Sequence, residues 1–233
     1  MESITKIRSL SLWVFLVPLI TVNACLIVVT VFREYIPHGV GIGSTFPYFD
    51  GGTSISRTAR NFPTNLIFKP GMIITSLLLI RYWLLNKKLL SKIEPINSKS
   101  VNYFYIFGVI SAIFLIFHAI FLGINFDNNI YKLFRKLILL FFIIFEIMAQ
   151  SFLVYNLYKK TNLLKEYLSQ KILKLKIVLV STLIIVTIIC APIVAQEGNA
   201  RFKHALEWDY FFGVIFFYFL TFLMWKKKKL IIL

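Results

Sequence analysis

The sequence predicts an all-α membrane protein, a bundle of six transmembrane helices with an ordered outer loop between helices 1 and 2. Of the 233 residues, 58% are hydrophobic and only 15% are charged, whereas soluble domains average roughly 45–50% apolar and about 25% charged residues. The apolar residues lie in long blocks that lack the period-two alternation of a transmembrane β-strand. These observations exclude an ordinary cytosolic enzyme, a disordered chain and a disulfide-rich secreted domain.

Six apolar blocks are long enough to cross about 30 Å of hydrocarbon as helices. They lie near residues 10–32, 66–85, 103–123, 137–157, 176–195 and 209–225. The first block follows a basic N-terminus, as the apolar part of a signal peptide would. Because its apolar run continues past Cys25 to Phe32, we interpret it as a retained transmembrane helix. The blocks have no linker between them, so we expect residues 1–233 to form a single integral membrane domain.

The distribution of basic residues predicts the orientation of these helices. If the N-terminus is cytoplasmic, 17 lysines and arginines face the cytoplasm and 9 face the other side. The positive-inside rule therefore predicts that both termini are cytoplasmic, in the plasma membrane, or in the inner membrane if the source is bacterial. Four tryptophans at block ends indicate an interfacial aromatic belt: Trp13, Trp83, Trp208 and Trp225.

The formal net charge is +16. Basic residues collect in the cytoplasmic loops of membrane proteins, which accounts for this charge, so we predict no nucleic-acid partner. Cys25 and Cys190 both lie inside apolar blocks, and no cluster of side chains has metal-ligand spacing. We therefore predict neither a metal nor a cofactor. The expected partners are membrane lipids and, as a further option, another membrane protein.

The outer loop between the first two helices contains a turn and two neighbouring cations. In the sequence Asp50-Gly51-Gly52 the carboxylate can accept backbone hydrogen bonds, and glycine tolerates a positive φ. Arg57 and Arg60 are three residues apart and share a face if the segment is helical. One interpretation is a lid in which Asp50, Arg57 and Arg60 bind a lipid headgroup or phosphate. The alternative is a structural cap whose charges pair with one another.

Glu146 lies in the middle of the fourth block, where a charge costs at least about 2.5 kcal/mol. We therefore predict that it faces the bundle interior and is either protonated or hydrogen-bonded to Gln150, Asn23 or His118. Gln150 lies one turn further along the same helix face. Glu146 is either a packing clamp or the floor of an outward-opening lipid pocket.

Two histidines and a second glutamate lie towards the outer ends of their helices, namely His118, His204 and Glu207. A His–Glu pair beside a membrane pocket can act as general acid and base on a lipid ester, or it can fix helix packing as a polar network. The sequence has no Gly-x-Ser-x-Gly motif, no glycine-rich phosphate loop and no lysine in a spanning core. We therefore assign no catalytic residue and keep four candidates: His118, Glu146, His204 and Glu207.

Several stretches resemble the Frag1/DRAM/Sfk1 family, which is similar to the N-terminal part of the Cwh43 proteins. The loop stretch Phe46–Thr53 resembles that family's first outer loop, and Arg81-Tyr82, His204 with Glu207-Trp208, and Phe217–Phe222 are similar as well. The chain looks like a short, bacterial member. The resemblance implies six helices with cytoplasmic termini and roles in autophagy, GPI-anchor remodelling or lipid asymmetry, but no single chemistry.

The favoured hypothesis is a non-enzymatic membrane protein that binds or organises lipid, or a membrane partner, through a pocket in the outer leaflet. Its candidate binding residues are Asp50, Arg57, Arg60, His118, Glu146, Gln150, His204 and Glu207. The alternative is a lipid-remodelling enzyme that transfers or hydrolyses acyl groups with a His/Glu pair. A transporter with Glu146 and Gln150 along its path is a third, weaker hypothesis.

Overall fold

The computed structural model describes residues 2–37, 40–93, 99–124, 129–196 and 198–226, and within these ranges the chain is helical with no strands. In chain order the elements are α1 (Glu2–Thr30), a 3-10 turn (Arg33–Tyr35), α2 (Pro47–Asp50), α3 (Ile55–Ala59), α4 (Asn65–Ser91), α5 (Lys99–Phe121), α6 (Asn129–Lys159), α7 (Thr161–Leu164), α8 (Gln170–Ala195) and α9 (Ala200–Met224). Six of these helices are long and apolar enough to cross a membrane. The all-α fold with six spanning helices is thus confirmed.

Each spanning helix is longer than the apolar block that predicted it. α1 begins at Glu2 rather than near residue 10, and α6 begins at Asn129 rather than near residue 137. Hydropathy marks the part of a helix that suits hydrocarbon, whereas backbone hydrogen bonding continues the helix through polar residues on either side. At α8, which begins at Gln170 rather than at residue 176, this extension moves Lys176 from the expected loop into a spanning helix.

The six long helices form a closed ring in the order of the sequence. Each packs against the next, from α1 on α4 to α8 on α9, and α9 packs against α1. We call the end that carries residues 31–64 the loop end and the opposite end, where α1 begins and α9 ends, the terminal end. The outward faces carry exposed apolar side chains, among them Ile20, Leu77, Ile113, Leu140, Ile188 and Leu223. Such faces suit a hydrocarbon solvent.

Aromatic side chains fill the interior of the ring towards the terminal end. Tyr82 and Trp83 of α4, Phe104 of α5, and Phe217 and Tyr218 of α9 are all fully buried. The Tyr82 ring lies edge-on to both Trp83 and Tyr218, with centroids 5.0 Å and 4.9 Å away. Edge-to-face pairs at this spacing stabilise the packed state. The interior of this part of the ring is therefore filled by side chains.

The prediction of an interfacial aromatic belt is wrong for three of the four tryptophans. Trp83, Trp208 and Trp225 are at most 1% exposed and pack inside the protein, whereas Trp13 is 55% exposed on the outer face of α1. A position at the end of an apolar block does not distinguish the two environments, because helix ends also meet loops and neighbouring helices.

α1 and α4 approach each other closely at Gly71. A Cβ atom at this position would lie 2.2 Å from Thr21 Oγ1 and 2.9 Å from Thr21 Cβ. Small residues permit such close approach between membrane helices. We expect Gly71→Ala to lower the free energy of unfolding by roughly 1–3 kcal/mol, because the two backbones must move apart.

Thermal unfolding of the purified protein in detergent measures this effect. Gly213→Ala on α9 is the matched control, since its Cβ would be closest to the flexible Cδ2 atom of Leu183, at 2.8 Å. If the two variants melt at the same temperature, the close approach of α1 and α4 at Gly71 does not contribute to stability in the way expected here.

Candidate ligand-binding cavity

Towards the loop end, the interior of the ring is hollow. A cavity of about 610 Å³ lies there, within the roughly 300–1,000 Å³ range of small-molecule sites. All six long helices and α3 contribute to its wall. Most of the lining side chains are apolar, for example Val22, Met72, Leu115, Phe142, Val186 and Phe211, one from each long helix. A space of this size and composition suits an apolar molecule.

Glu146 forms the floor of the cavity, at the boundary with the aromatic half. It is 1% exposed and lines the cavity together with Tyr218. Its carboxyl accepts hydrogen bonds from Ser111 Oγ at 2.6 Å, from Gln150 Nε2 at 3.0 Å and from the Tyr218 hydroxyl. The predictions that Glu146 faces the interior and bonds to Gln150 are confirmed.

The other two partners suggested for Glu146 lie elsewhere. Asn23 donates to the Leu19 carbonyl at 2.9 Å and to the Tyr48 hydroxyl at 3.3 Å, so it connects α1 to the loop. His118 lines the cavity, and its ring lies edge-on to Phe68 at 6.3 Å between centroids.

A second polar group lies below the floor, and sequence analysis assigned its key residue wrongly. Lys176 is fully buried in α8, so the expectation of no lysine in a spanning core is wrong. Its Nζ donates to Thr221 Oγ1 at 2.6 Å and lies 3.7 Å from the centre of the Phe217 ring. Thr221 Oγ1 is also 3.2 Å from the Tyr82 hydroxyl. The hydroxyls of Thr221 and Tyr82 therefore connect Lys176 to the Tyr82 ring, which packs on Tyr218.

The roof of the cavity is formed by α3. Ile55 and Ser56 line the cavity from this short helix. Ser54 caps the helix, because its Oγ accepts from the Arg57 backbone N–H at 3.2 Å. The Glu207 carboxyl group lies beside the backbone N–H groups of Ile55 and Ser56. Glu207 therefore links the roof to α9 by a polar contact.

Two further side chains of α9 bind the loop beside α3. His204 Nδ1 is 3.0 Å from the Gly51 carbonyl oxygen, which fits an N–H donor at Nδ1. Trp208 Nε1 donates to the Thr53 carbonyl at 2.8 Å. His204 and Glu207 thus hold backbone groups of the loop, and the roles that their positions support are structural.

The charged residues expected to roof the cavity do not line it. Asp50 is exposed and accepts from Thr45 Oγ1 at 2.6 Å, from the Gly52 N–H at 2.8 Å and from the Phe46 N–H at 2.9 Å. These hydrogen bonds hold the pKa of Asp50 below its usual range. Its carboxylate therefore orders the turn that sequence analysis recognised, and it loses that contribution as the pH falls through its pKa.

The two arginines differ in environment. Arg57 is exposed, whereas Arg60 is half-buried and its carbonyl lies close to Gly123 at the end of α5. Burial lowers the pKa of the Arg60 guanidinium, and its Nε is buried without a hydrogen-bond partner among the described residues. The structure thus places Arg60 at the junction of the loop with α5.

Among the described residues, no three histidine, cysteine, aspartate or glutamate side chains are grouped to hold a metal ion. Ser56 lies at the roof, and its Oγ is 3.3 Å from Ser54 Oγ.

Comparisons of the chain with protein-family models, curated proteins and solved structures gave no match.

Proposed function

We propose that the chain is a non-enzymatic membrane protein that binds one amphiphilic, lipid-like molecule inside the ring. The observation that carries this proposal is the apolar cavity enclosed by six membrane-spanning helices, with a carboxyl at its floor. Pockets of this volume that combine apolar walls with a few polar groups are typical of small-molecule sites.

α8 separates the cavity from the outer surface of the ring. Val186 and Cys190 line the cavity, whereas Ile185 and Ile189 on the opposite face are 54% and 60% exposed. This single-helix wall offers a matched pair of positions for testing the cavity.

We expect Val186→Trp to fill part of the cavity and to lower the amount of lipid that co-purifies with the protein by at least about tenfold. Ile185→Trp places the same side chain on the outer face and should leave the bound lipid unchanged. Mass spectrometry of lipids extracted from equal amounts of the two variants and the unaltered protein measures the difference. Equal lipid content in all three proteins would argue against the cavity as the binding site.

The alternative function is a lipid-remodelling enzyme, and one observation favours it. His118 and Glu207 both line the cavity, so an acid–base pair could face a bound ester there. The purified protein should then release fatty acid or transfer acyl chains between added lipids. Chromatography of an acyl-labelled lipid after incubation distinguishes this outcome from binding alone.

Orientation and family remain parts of this proposal. The charge distribution supports a cytoplasmic location for the terminal end and a location in the outer leaflet for the cavity. Membership of the Frag1/DRAM/Sfk1 family is supported by contacts between the stretches that carry the resemblance. The loop stretch Phe46–Thr53 contacts both His204 and Trp208, and Tyr82 contacts Thr221 and Tyr218.

A further inference from the structure

We infer that the molecule in the cavity carries a hydrogen-bond donor, a hydroxyl or an ammonium group, and that this group binds at Glu146 on the cavity floor. The inference rests on the proposed function and names the chemical class of its ligand. It also fixes the ligand's direction, with the polar group at the floor and the apolar chain extending towards the roof.

The first observation is a count of acceptors on Glu146. A carboxylate offers about four acceptor positions, and donors from the described residues occupy three of them. Tyr218 and Gln150 donate to Oε1, and Ser111 donates to Oε2. One acceptor position therefore remains on Oε2 of a carboxyl that lines the cavity.

The second observation is the amide of Gln150. Its Nε2 donates both to Glu146 Oε1 and to the Val214 carbonyl, the latter at 3.2 Å. Because both of these partners are acceptors, the amide must present its nitrogen to them. Gln150 lies one turn below the floor and does not line the cavity, so both N–H groups of its amide are used by these two acceptors and neither reaches the remaining position on Glu146 Oε2.

Lys176 and Tyr82, the polar side chains below this floor, bind Thr221 rather than Glu146 and do not line the cavity. The Lys176 ammonium donates to Thr221 Oγ1, and the Tyr82 hydroxyl pairs with the same oxygen. A buried acceptor without a donor is destabilising, because it has lost its hydrogen bonds to water. The floor therefore favours a ligand that brings donors and disfavours one whose polar group is an anion.

The walls above the floor define the rest of the ligand. From Tyr218 at the floor to Glu207 near the roof, α9 rises by about 16 Å. Between these levels the α9 wall includes Phe211, Val214 and Ile215. An extended alkyl chain suits this space.

The test compares three probes that share a dodecyl chain and differ in their polar group: dodecan-1-ol, dodecylammonium and dodecanoate. Binding of each labelled probe is measured with the full protein in phosphatidylcholine nanodiscs, with Val186→Trp nanodiscs as background. We expect the alcohol and the ammonium to bind at least about tenfold more tightly than dodecanoate, a difference of about 1.4 kcal/mol.

The variant Glu146→Gln tests the position of the donor. It keeps the shape of the side chain but removes the negative charge, so dodecylammonium binding should fall about tenfold or more and dodecan-1-ol binding should fall less. This difference also shows which of the two donor groups the floor prefers. Glu34→Gln, at an exposed carboxylate in the 3-10 turn, is the matched control and should bind all probes normally.

The outcomes separate the inference from the function on which it rests. If all three probes bind equally above background, or if Glu146→Gln folds and binds dodecylammonium normally, the inference is wrong and the cavity still binds amphiphiles. Water on the free acceptor position of Glu146 would give the first of these results. If no probe binds above background, the proposed function fails as well. The probe series does not use Glu146→Gln, so it tests the inference even if that variant does not fold.

Discussion

Replacing Thr221 with valine is expected to destabilise the protein by roughly 1.5–3 kcal/mol. Valine has the shape of threonine but no hydroxyl, so Lys176 loses the acceptor to which its Nζ donates at 2.6 Å. Lys176 is fully buried, and a buried donor that loses its acceptor destabilises the fold by the cost of its desolvation. Thermal unfolding in detergent should show a melting temperature lower by roughly 5 °C.

A second substitution shows whether the buried ammonium causes this loss. Lys176→Met replaces the charge with an apolar chain of similar length, and a buried ionic group can often be replaced in this way at little cost. We expect Lys176→Met alone to be neutral or slightly stabilising, and Lys176→Met/Thr221→Val to recover most of the stability lost by Thr221→Val. If the double variant melts as low as Thr221→Val, the hydroxyl matters for another reason, such as its contact with Tyr82.

Gly51→Ala is expected to release the loop from α9. Gly51 has a φ of +60°, which favours glycine, and a Cβ at this position would lie 1.7 Å from the Arg201 carbonyl oxygen. Because the obstacle is backbone, no side-chain rotation can relieve the overlap. The contacts that His204 and Trp208 make with the loop should be lost, and with them the position of α3 over the cavity.

Limited trypsin digestion measures this release, because Arg57 and Arg60 lie in the loop next to the roof. We expect cleavage after these arginines to be at least about tenfold faster in Gly51→Ala, since the loop must open before a protease can bind it. Gly43→Ala is the matched control, because nothing lies within 4 Å of its added Cβ. Equal cleavage rates in the two variants would contradict docking of the loop through Gly51.

The features that sequence analysis predicted correctly depend on properties local to one segment. Hydropathy within a block is sufficient to predict a spanning helix, and the cost of a charge in hydrocarbon is sufficient to turn Glu146 inward. The turn at Asp50 was recognisable for the same reason, since its carboxylate bonds to groups within a few residues.

The features that it missed depend on contacts between distant segments. Lys176 stood at the edge of an apolar block, where a loop lysine and a buried one look alike, and only the longer α8 and the hydroxyl of Thr221 distinguish them. His204 and Glu207 were recognised as neighbours on one helix face, but their partners are backbone groups of the loop. Every residue has backbone N–H and carbonyl groups, so the residue types of the loop do not reveal such partners. The spacing of His204 and Glu207 therefore suggested an acid–base pair instead.

The order of the ring has a consequence for how the chain is made. α9 is synthesised after the other five spanning helices, yet it supplies both Tyr218, which binds Glu146 of α6, and Thr221, which binds Lys176 of α8. Lys176 therefore enters the bilayer before its partner Thr221 exists, and Glu146 enters it before Tyr218 completes its set of donors. Until α9 is inserted and packs against α1, the translocon, an insertase or lipid headgroups must accommodate these side chains, so the insertion of one helix completes both polar sites and encloses the cavity.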